Sequence, residues 1–446
     1  MSDRFNKNNI NRYRQPDVFR FAEYLKTYCQ CQNVLELKKL FPYEAALGLC
    51  SQEGEALRKK INKTVIVGVN LIEYSNSIGK ILAIVKKVAQ NAPACILSTP
   101  ARDLLEADNH SGQGAIQAPD ANWNLEEFER LLVDSGLHVD HIGLTVSCST
   151  CRHKDCIVAV VSDSSPVIGP DYNNFRVVAL LAAYNEEDVI YHSVKKLIDG
   201  GIYVYVIDNW STDKTPEILR RFKGSPFFLG VERFPPEGPE EYFNLRRLLR
   251  RKEELTGKIE AHWFINGDVD EVRDSPWPGV SLKQGIYIVD RQGYNAINHT
   301  ELTFWPVDDL FTTGMDFLSY FNRCSFVYPH VTENFHVKAW KNTGRPVSFA
   351  DTAGHEAAFE GRRTYPYKFL LRHYPIRNQK QGEKKVFHDR KPRYSPEEKN
   401  IGWHVHYNGY TPGCSFIRKP GELILFDESF YRQYLLERLT GEIMRL

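Results

Sequence analysis

Short apolar runs and segments with helical spacing alternate along the first part of the chain. The apolar runs predict buried strands at 33–37, 45–49, 64–69 and 94–97. Apolar residues at helical spacing predict helices at 77–90 and 124–135. Two later strand-like runs, 141–146 and 157–161, predict a terminal antiparallel pair. This order of elements predicts a small Rossmann-like α/β domain.

A second alternation of strands and helices begins after a polar segment at 162–174 that is rich in Ser, Pro, Gly and Asn. Its first strand is a nearly continuous apolar run, which is typical of a strand buried on both faces. The predicted strands lie at 175–182, 202–207 and 261–265. Each of them runs into a cluster of polar residues, and open parallel sheets bind ligands at the carboxyl ends of their strands.

The polar segment marks the predicted domain boundary, with one domain at 1–165 and a second at 174–446. An amphipathic helix is predicted at 428–445, within the second domain. Its apolar face needs a surface to cover, which is either the first domain or a second copy of the chain. If a second copy covers this face, the protein is a homo-oligomer.

The composition excludes several classes of protein. Apolar residues make up 42% of the 446 positions, too many for a disordered chain, and 57 Lys and Arg balance 56 Asp and Glu. A net charge of +1 provides no field that would recruit nucleic acid or a membrane surface. No apolar run approaches the roughly 20 residues of a membrane span, and the polar start of the chain lacks the apolar stretch of a signal peptide. We expect a cytoplasmic protein with no transmembrane segment and no nucleic-acid partner.

Nine cysteines in such a chain favour reduced thiols over a disulfide framework. One cluster contains Cys148, Cys151, His153 and Cys156, which are residue types that zinc binds. No second CxxC pair follows it, and the cluster stands between two predicted strands. The pattern therefore favours the tip of a β-hairpin over a zinc site.

Two carboxylates follow the predicted strand at 261–265. Asp268 and Asp270 are two residues apart, so they project the same way if strand geometry continues through them. Like carboxylates that converge are costly to ionise together unless a cation neutralises them. Oxygen ligands of this kind suit Mg²⁺ or Mn²⁺ bound together with substrate phosphates. The pattern predicts a divalent-metal site at this strand end.

Ordered motifs extend through the second half of the chain. AAYNEED follows its first strand, VIDNWSTD follows the second, and the D-x-D of Asp268 and Asp270 follows the third; AGHEAAFEGRR, LLRHYPIRNQKQGEKKVF and GWHVHY come later. On these motifs residues 175–410 resemble family-2-type glycosyltransferases with the GT-A fold, in particular a bacterial subgroup that often carries a methyltransferase-like region upstream. The resemblance implies metal-dependent transfer of a sugar from a nucleotide-diphosphate donor to a glycan or lipid-linked acceptor, in bacterial surface polysaccharide synthesis.

The resemblance also implies roles for individual residues. Asp268 and Asp270 match the metal-binding pair, whose Mn²⁺ or Mg²⁺ would bridge the donor diphosphate. His373 stands where such enzymes often place a further metal or phosphate ligand, and Asp208 matches the acid that contacts the base or ribose. The loop that lines the nucleotide pocket contains Tyr184, Asn185 and Glu186.

Positive charge is concentrated near the end of this half. Between residues 362 and 393 there are eleven Lys or Arg and only two acids. A nucleoside diphosphate leaving group needs positive charge near its developing oxyanion, and Arg372, Arg377 or Lys384 are candidates to supply it. The alternative is that the run forms an ordinary solvated basic face.

A reaction that inverts the anomeric centre needs a carboxylate to take the proton of the acceptor hydroxyl. Glu356 follows a Gly-His pair at a position where the resembling family carries His plus an acid, and we predict it as the base, with Asp351 as substitute. The alternatives are that Glu356 only pairs with Arg362 or Arg363, or that the reaction retains the configuration and needs no such base.

Residues 15–162 resemble class I S-adenosylmethionine-dependent methyltransferases in the stretches NVLEL, TVIVGVNLIEYSNSIGKIL and ILSTPARDLL. In a working enzyme a Gly-rich turn follows the first strand and an acid ends the second. Here no glycine follows Leu37 and no acid follows Leu49. The resemblance implies a degenerate domain that is kept for docking or stability. For the whole chain two alternatives stay open: a bifunctional methyltransferase–glycosyltransferase, and a non-catalytic carbohydrate-binding or scaffold protein on the GT-A fold.

Overall fold

A computed structural model of the protein describes residues 16–37, 39–40, 52–69, 78–104, 123–146, 153–327 and 336–441. The chain divides into two compact units. Unit 1 consists of Met1–Val167 together with Glu428–Leu446, and unit 2 consists of Ile168–Asp427. Each unit contains both helices and strands, so the protein has the mixed α/β architecture that the sequence predicts.

Unit 1 contains one sheet, built from short apolar strands. Its helices are α1 (Pro16–Tyr28), α2 (Gln52–Ile61), α3 (Ile78–Ala89) and α4 (Leu125–Asp134). Its strands are β1 (Asn33–Glu36), β2 (Thr64–Val69), β3 (Ala94–Pro100), β4 (His138–Thr145) and β5 (Cys156–Ser162). The described strands are ordered β1-β2-β3-β5-β4, with the first three parallel and β5 antiparallel to both of its neighbours.

The predicted terminal antiparallel pair is therefore present as β4 and β5. The predicted helix before it is α4, which begins with a capping box in which Asn124 and Glu127 satisfy each other's backbone N–H groups. The predicted strand at 45–49 lies outside the described residues, as do Cys148 and Cys151 of the predicted hairpin tip. The degenerate cofactor site, and with it the absence of methylation, stays a prediction.

The C-terminal segment belongs to unit 1, whereas the sequence predicted it in the second domain. It forms two short helices, Phe430–Gln433 and Leu435–Thr440, instead of one. The helix breaks at Tyr434, whose φ of −114° and ψ of 38° are not helical. Both short helices contact β4, and the leucines of the second helix are buried. The apolar face of this segment thus packs against the sheet of unit 1.

Unit 2 contains most of the described elements. Its strands are β6 (Val177–Ala183), β7 (Tyr203–Asp208), β8 (Phe228–Arg233), β9 (Trp263–Asp268), β10 (Glu271–Asp274), β11 (Ala296–Ile297), β12 (His299–Phe304), β13 (Arg323–Phe326), β14 (Ala339–Lys341), β15 (Phe369–His373) and β16 (Ile424–Leu425). Its helices are α5 (Ile190–Asp199), α6 (Thr215–Arg220), α7 (Leu245–Thr256), α8 (Leu282–Arg291), α9 (Phe317–Tyr320), α10 (Gln379–Glu383) and α11 (Pro396–Asn400), and a π-helical segment spans Lys384–Arg390. In the described part of the chain no helix is long and apolar enough to cross a membrane.

The described strands of unit 2 form two sheets. The first has the order β11-β14-β9-β6-β7-β8, and its strands β6, β7, β8 and β9 run parallel. The second has the order β10-β15-β12-β13-β16 and is mixed. Only two residues separate β9 from β10, so the chain passes from one sheet to the other through Val269 and Asp270. This passage lies at the carboxyl end of a parallel strand.

Gly143 tests the packing of the C-terminal segment. It lies in β4, where an added Cβ would stand 2.7 Å from the Cβ of Leu435 and closer still to the carbonyl oxygen of Arg432. Because the carbonyl is backbone, the whole segment would have to shift. We expect Gly143→Ala to lower the free energy of unfolding of unit 1 by ~1–3 kcal/mol, seen as a lower midpoint of thermal unfolding followed by circular dichroism.

The matched control is Gly79→Ala in α3, where an added Cβ meets no atom within 4 Å. Alanine has the higher helix propensity, so this variant is expected to unfold at the same temperature or slightly higher. Equal midpoints for the two variants would contradict the packing of the C-terminal segment on β4.

Candidate active site

Polar residues from separate strand ends meet at one edge of the first sheet of unit 2. Ala183 of β6 lies opposite Asp208 of β7, and Ala182 lies opposite Asp268 of β9. The carboxyl ends of these parallel strands share an edge, which we call the strand-end edge. It is the place where open α/β sheets bind ligands.

The loops after β6 and β7 hold each other in place at this edge. Asn185 has a positive φ of 55°, a conformation that Asn adopts more readily than most residues. Its backbone N–H donates to Ser211 Oγ at 2.9 Å, and its side-chain oxygen accepts from the backbone N–H of Thr212 at 2.9 Å. The backbone N–H of Glu186 donates to Thr215 Oγ1 at 3.0 Å. These bonds make the two loops one rigid platform beside Tyr184.

Asp208 is a buried carboxylate, and one of its oxygens accepts no hydrogen bond from the described residues. Its side chain is 1% exposed, and Oδ1 accepts from the backbone N–H of Ser211 at 3.1 Å. Oδ2 accepts no hydrogen bond from any described residue, and the guanidinium of Arg233 lies 3.6 Å from it. Burial raises the pKa of Asp208 despite the hydrogen bonds from Ser211. A buried acceptor without a donor is costly, which is the condition that a ligand N–H or O–H would relieve.

Asp268 and Asp270 differ in exposure and in partners. Strand geometry ends at Asp268, because the chain turns through Val269 and Asp270 into β10. The Asp268 side chain is 61% exposed, and its nearest cation is the buried Lys252, whose Nζ is 4.0 Å from Oδ1. Asp270 is buried among cations. The sequence predicted that the two side chains project the same way, which required β9 to continue through Asp270. The strand ends at Asp268, so this prediction is wrong.

A group of carboxylates and cations surrounds Asp270. Its Oδ2 lies 2.7 Å from Lys385 Nζ and 3.9 Å from Arg377 Nη1. Glu186 Oε1 accepts from Lys385 at 2.9 Å and from Arg390 at 3.3 Å. Burial alone would raise the pKa of Asp270, but Lys385 and the neighbouring His373 hold it well below its usual range. The buried charge cluster, as we call it, consists of Glu186, Asp188, Asp270, Arg377, Lys385 and Arg390.

Arg377 is fully occupied inside this cluster. Its Nη2 donates to Glu186 at 2.5 Å and to Asp188 at 2.8 Å, and its Nε donates to Asp188 at 2.9 Å. Its Nη1 donates to the carbonyls of Tyr374 and Pro375, both at 3.0 Å. All five N–H groups of the guanidinium are therefore used within the protein. The predicted phosphate contact Arg377 is a structural residue in this arrangement.

The two other predicted cations also have carboxylate partners. Arg372 precedes His373 in β15 and projects to the opposite face of its sheet, where its Nε lies 2.7 Å from Asp274. Lys384 pairs with Asp389 at 2.5 Å but is 54% exposed. Of the three cations that the sequence predicted at a phosphate, Lys384 alone is exposed.

The segment 384–393, which we call the basic segment, lies against the strand-end edge. The guanidinium carbon of Arg393 is 3.8 Å from the ring centroid of Tyr184, and Arg393 Nη2 donates to Asn209 at 2.8 Å. Asn185 donates to Asp389 at 3.3 Å. Sequence reasoning singled out the basic run but missed Lys385, Arg390 and Arg393 within it. The only signal was the run itself, which does not tell which members are buried.

His373 faces two carboxylates. Its Nδ1 is 2.9 Å from Glu301 Oε1, and its Nε2 is 3.7 Å from Asp270 Oδ2. Burial alone would lower its pKa, but these two carboxylates outweigh burial and raise the pKa of His373 to about 10. Within the described residues, no group of three or more His, Cys, Asp or Glu is arranged to hold a metal ion. The donor set of Asp268, Asp270 and His373 therefore does not fit a divalent metal in this arrangement.

Both predicted bases are ion-paired, at different places. Glu356 Oε1 lies 2.6 Å from Arg362, as the alternative interpretation expected, and both side chains are partly exposed. The carbonyl of Gly354 accepts from Asn266 Nδ2 at 3.0 Å, which brings this segment beside the end of β9. Asp351 instead pairs with Arg250 of α7 at 2.8 Å. Of the two carboxylates, Glu356 is the one whose segment is anchored at the strand-end edge.

Comparisons with known proteins find only partial likeness. No protein-family model and no curated protein matches this chain. TarS of S. aureus (residues 1–349, in complex with UDP-GlcNAc) is 10% identical over 46% of this chain and 60% of that chain, with a TM-score of 0.27. A mannosyltransferase of Pyrobaculum calidifontis, in complex with GDP-Man and Mn²⁺, is 18% identical over 31% of this chain and 39% of that chain, with a TM-score of 0.23.

Magnesium protoporphyrin IX methyltransferase of Synechocystis PCC 6803, with bound SAH, is 16% identical over 37% of this chain and 90% of that chain, with a TM-score of 0.21. The match spans less than two thirds of the length of both glycosyltransferase chains. Likeness at these TM-scores carries no argument about function.

Arg377 tests the buried charge cluster. Arg377→Met would leave the carboxylates of Glu186 and Asp188 buried without their principal partner, and such a loss costs ~3–5 kcal/mol. We expect a clearly lower midpoint of thermal unfolding for the full-length chain. Arg345→Met is the matched control, because its ion pair with Glu360 is exposed and contributes at most ~1 kcal/mol. Small and equal shifts for both variants would contradict the role of Arg377.

Proposed function

We propose that unit 2 is a glycosyltransferase that takes its sugar from a nucleotide-diphosphate donor, bound at the strand-end edge. The observation that carries the proposal is the buried carboxylate of Asp208, whose Oδ2 has no hydrogen-bond donor among the described residues. It stands in the VIDNWSTD motif, beside the platform formed by the loop of Tyr184 and Asn185. A nucleobase N–H or a ribose hydroxyl would supply the missing donor.

Positive charge for the diphosphate comes from the basic segment in this proposal. Arg390 and Arg393 flank the ring of Tyr184, with guanidinium carbons 5.7 and 3.8 Å from its centroid, and Lys384 is exposed nearby in sequence. Departure of a nucleoside diphosphate builds negative charge on the leaving oxygen. Cations that are already fixed in place stabilise that charge without reorganising during the reaction.

The acceptor hydroxyl needs a base if the reaction inverts the sugar. Glu356 is our candidate, because the Gly354 carbonyl ties its segment to Asn266, two residues before Asp268. Its carboxylate is held in place by the ion pair with Arg362. A glycan or lipid-linked acceptor, a role in bacterial surface polysaccharide synthesis and a cytoplasmic location are proposals that rest on the sequence resemblance alone.

Nucleotide binding is the first test of this function. We expect at least one of UDP, GDP, CDP, dTDP and ADP to raise the thermal unfolding midpoint of the full-length chain, and the matching nucleotide sugar to be hydrolysed slowly. Asp208→Asn should weaken binding of that nucleoside diphosphate by about 10-fold or more, because it removes a charged acceptor from a desolvated position. Titration calorimetry gives the dissociation constants.

Asp199→Asn is the matched control. Asp199 is the last residue of α5, whose first residues follow the strand-end edge, and among described side chains it pairs only with the exposed Lys195. It should bind like the unmodified chain. No stabilisation by any of the five nucleotides would contradict the proposal. Binding without hydrolysis of any nucleotide sugar would favour the alternative of a non-catalytic carbohydrate-binding or scaffold protein.

The choice of base is tested with the same hydrolysis assay, in which water is the acceptor. Glu356→Gln should lower kcat of donor hydrolysis by ~10²-fold or more with little change in KM, because the base acts on the acceptor and not on the donor. Asp351→Asn, whose exposed carboxylate pairs with α7, should retain activity. The reverse pattern would assign the base to Asp351, and full activity of both variants would indicate a reaction without a carboxylate base.

A further inference from the structure

We infer that Lys385 takes the place of a divalent cation beside Asp270, so that the donor diphosphate is bound without a metal. The inference rests on the proposed function, which supplies the diphosphate. It departs from the sequence resemblance, which implied a metal held by Asp268, Asp270 and His373. The positive charge near the diphosphate would then come from lysine and arginine side chains of the basic segment.

The first step is the position of the ammonium group. Lys385 Nζ lies 2.7 Å from Asp270 Oδ2 and 2.9 Å from Glu186 Oε1. The side chains of Lys385, Asp270 and Glu186 are 6%, 8% and 3% exposed. The ammonium therefore lies between Asp270 Oδ2 and Glu186 Oε1, a position that a metal bound to these two oxygens would also take. Buried carboxylates of this kind need a positive partner, and this one is covalently attached.

The second step is the charge balance. Three carboxylates of the buried charge cluster (Glu186, Asp188 and Asp270) face three cationic side chains (Arg377, Lys385 and Arg390). A bare pair of carboxylates attracts a divalent cation because the ion cancels two charges. Here the same charges are already cancelled, so a dication would enter beside an ammonium and two guanidinium groups. Repulsion among like charges in a buried site opposes that entry.

The third step concerns the two remaining predicted ligands. Both ring nitrogens of His373 face carboxylate oxygens, at 2.9 Å for Glu301 and 3.7 Å for Asp270. Asp268 is exposed, but its nearest cation is the buried Lys252, and one carboxylate provides few of the about six ligands that Mg²⁺ or Mn²⁺ prefers. A metal held there would depend almost wholly on the diphosphate.

The contacts of Asp270 give it a positioning role for Lys385. Its carboxylate fixes Lys385, and its backbone carbonyl accepts from the N–H of Tyr374 at 2.9 Å, which joins the turn after β9 to the end of β15. Lys385 in turn begins the part of the basic segment that carries Arg390 and Arg393 to Tyr184. Asp270 is thus a positioning residue for the cations that would meet the diphosphate.

The experiment uses the full-length chain freed of metal by a chelator. Calorimetric titration with each nucleoside diphosphate that binds is done in excess EDTA and in Mn²⁺. We expect dissociation constants that agree within about 3-fold. Binding at least 10-fold tighter in Mn²⁺ would overturn the inference while leaving the proposed function intact, and loss of that tightening in Asp268→Asn would identify Asp268 as the ligand.

A second measurement needs no nucleotide and so stays decisive if the proposed function fails. Uptake of Mn²⁺ alone is followed by loss of the free-ion electron paramagnetic resonance signal. We expect no uptake by the unmodified chain and uptake by Lys385→Met, which removes the ammonium between Asp270 Oδ2 and Glu186 Oε1. Lys384→Met is the matched control, because Lys384 is exposed and pairs with Asp389 outside the cluster, and it should take up none.

Uptake of Mn²⁺ by the unmodified chain that Asp270→Asn abolishes would overturn the inference. A folded Lys385→Met chain that takes up no Mn²⁺ would overturn it as well, because Lys385 would then not occupy a metal position. Where Lys385→Met does not fold, the unmodified chain and Asp270→Asn decide the question, since metal independence requires that neither binds Mn²⁺.

Discussion

The ion pairs of Arg377 with Glu186 and Asp188 connect the two sheets of unit 2. Arg377 follows β15 of the second sheet, and its partners follow β6 of the first. Burying these charges is unfavourable unless each finds a partner, so the pairs form only when both chain segments are in place. The strand-end edge, the turn after β9 and the basic segment all depend on this condition. The geometry of the candidate site is therefore a consequence of how the two sheets are joined.

The same constraint explains which polar groups remain available. Glu186, Asp270 and Arg377 use their charges on one another, whereas Asp208 keeps a buried oxygen without a donor. A buried carboxylate oxygen that accepts no hydrogen bond is costly, and a donor on a ligand would remove that cost. The contrast between the saturated cluster and Asp208 marks the part of the edge that a ligand would occupy.

The strands and the site differ in how far the sequence predicts them. The run before Asp268 predicted β9 because a strand buried on both faces needs only local apolar residues, and the polar ends of β6 and β7 followed from the same reasoning. The partner of Asp270 was not predictable in this way, because Lys385 is 115 residues away and a basic run does not reveal its buried members. Arg377 was predicted at a phosphate for its charge, although tertiary structure uses all of its N–H groups internally. The C-terminal helix was predicted in the second domain because it follows that domain in sequence. Its apolar face instead packs in unit 1, and position in the sequence does not reveal such packing.

Both a fixed cation and a bound metal neutralise converging carboxylates, but they do so at different stages. A metal brings its charge when it binds, and its site must tolerate converging carboxylates until then. A lysine brings its charge during folding, so the carboxylates stabilise the protein and need no ion to become compatible. The cost is that Lys385 cannot leave, and its neighbours must be arranged around one geometry. In unit 2 the ion pairs that stabilise the fold also fix the positions of the cations at the strand-end edge.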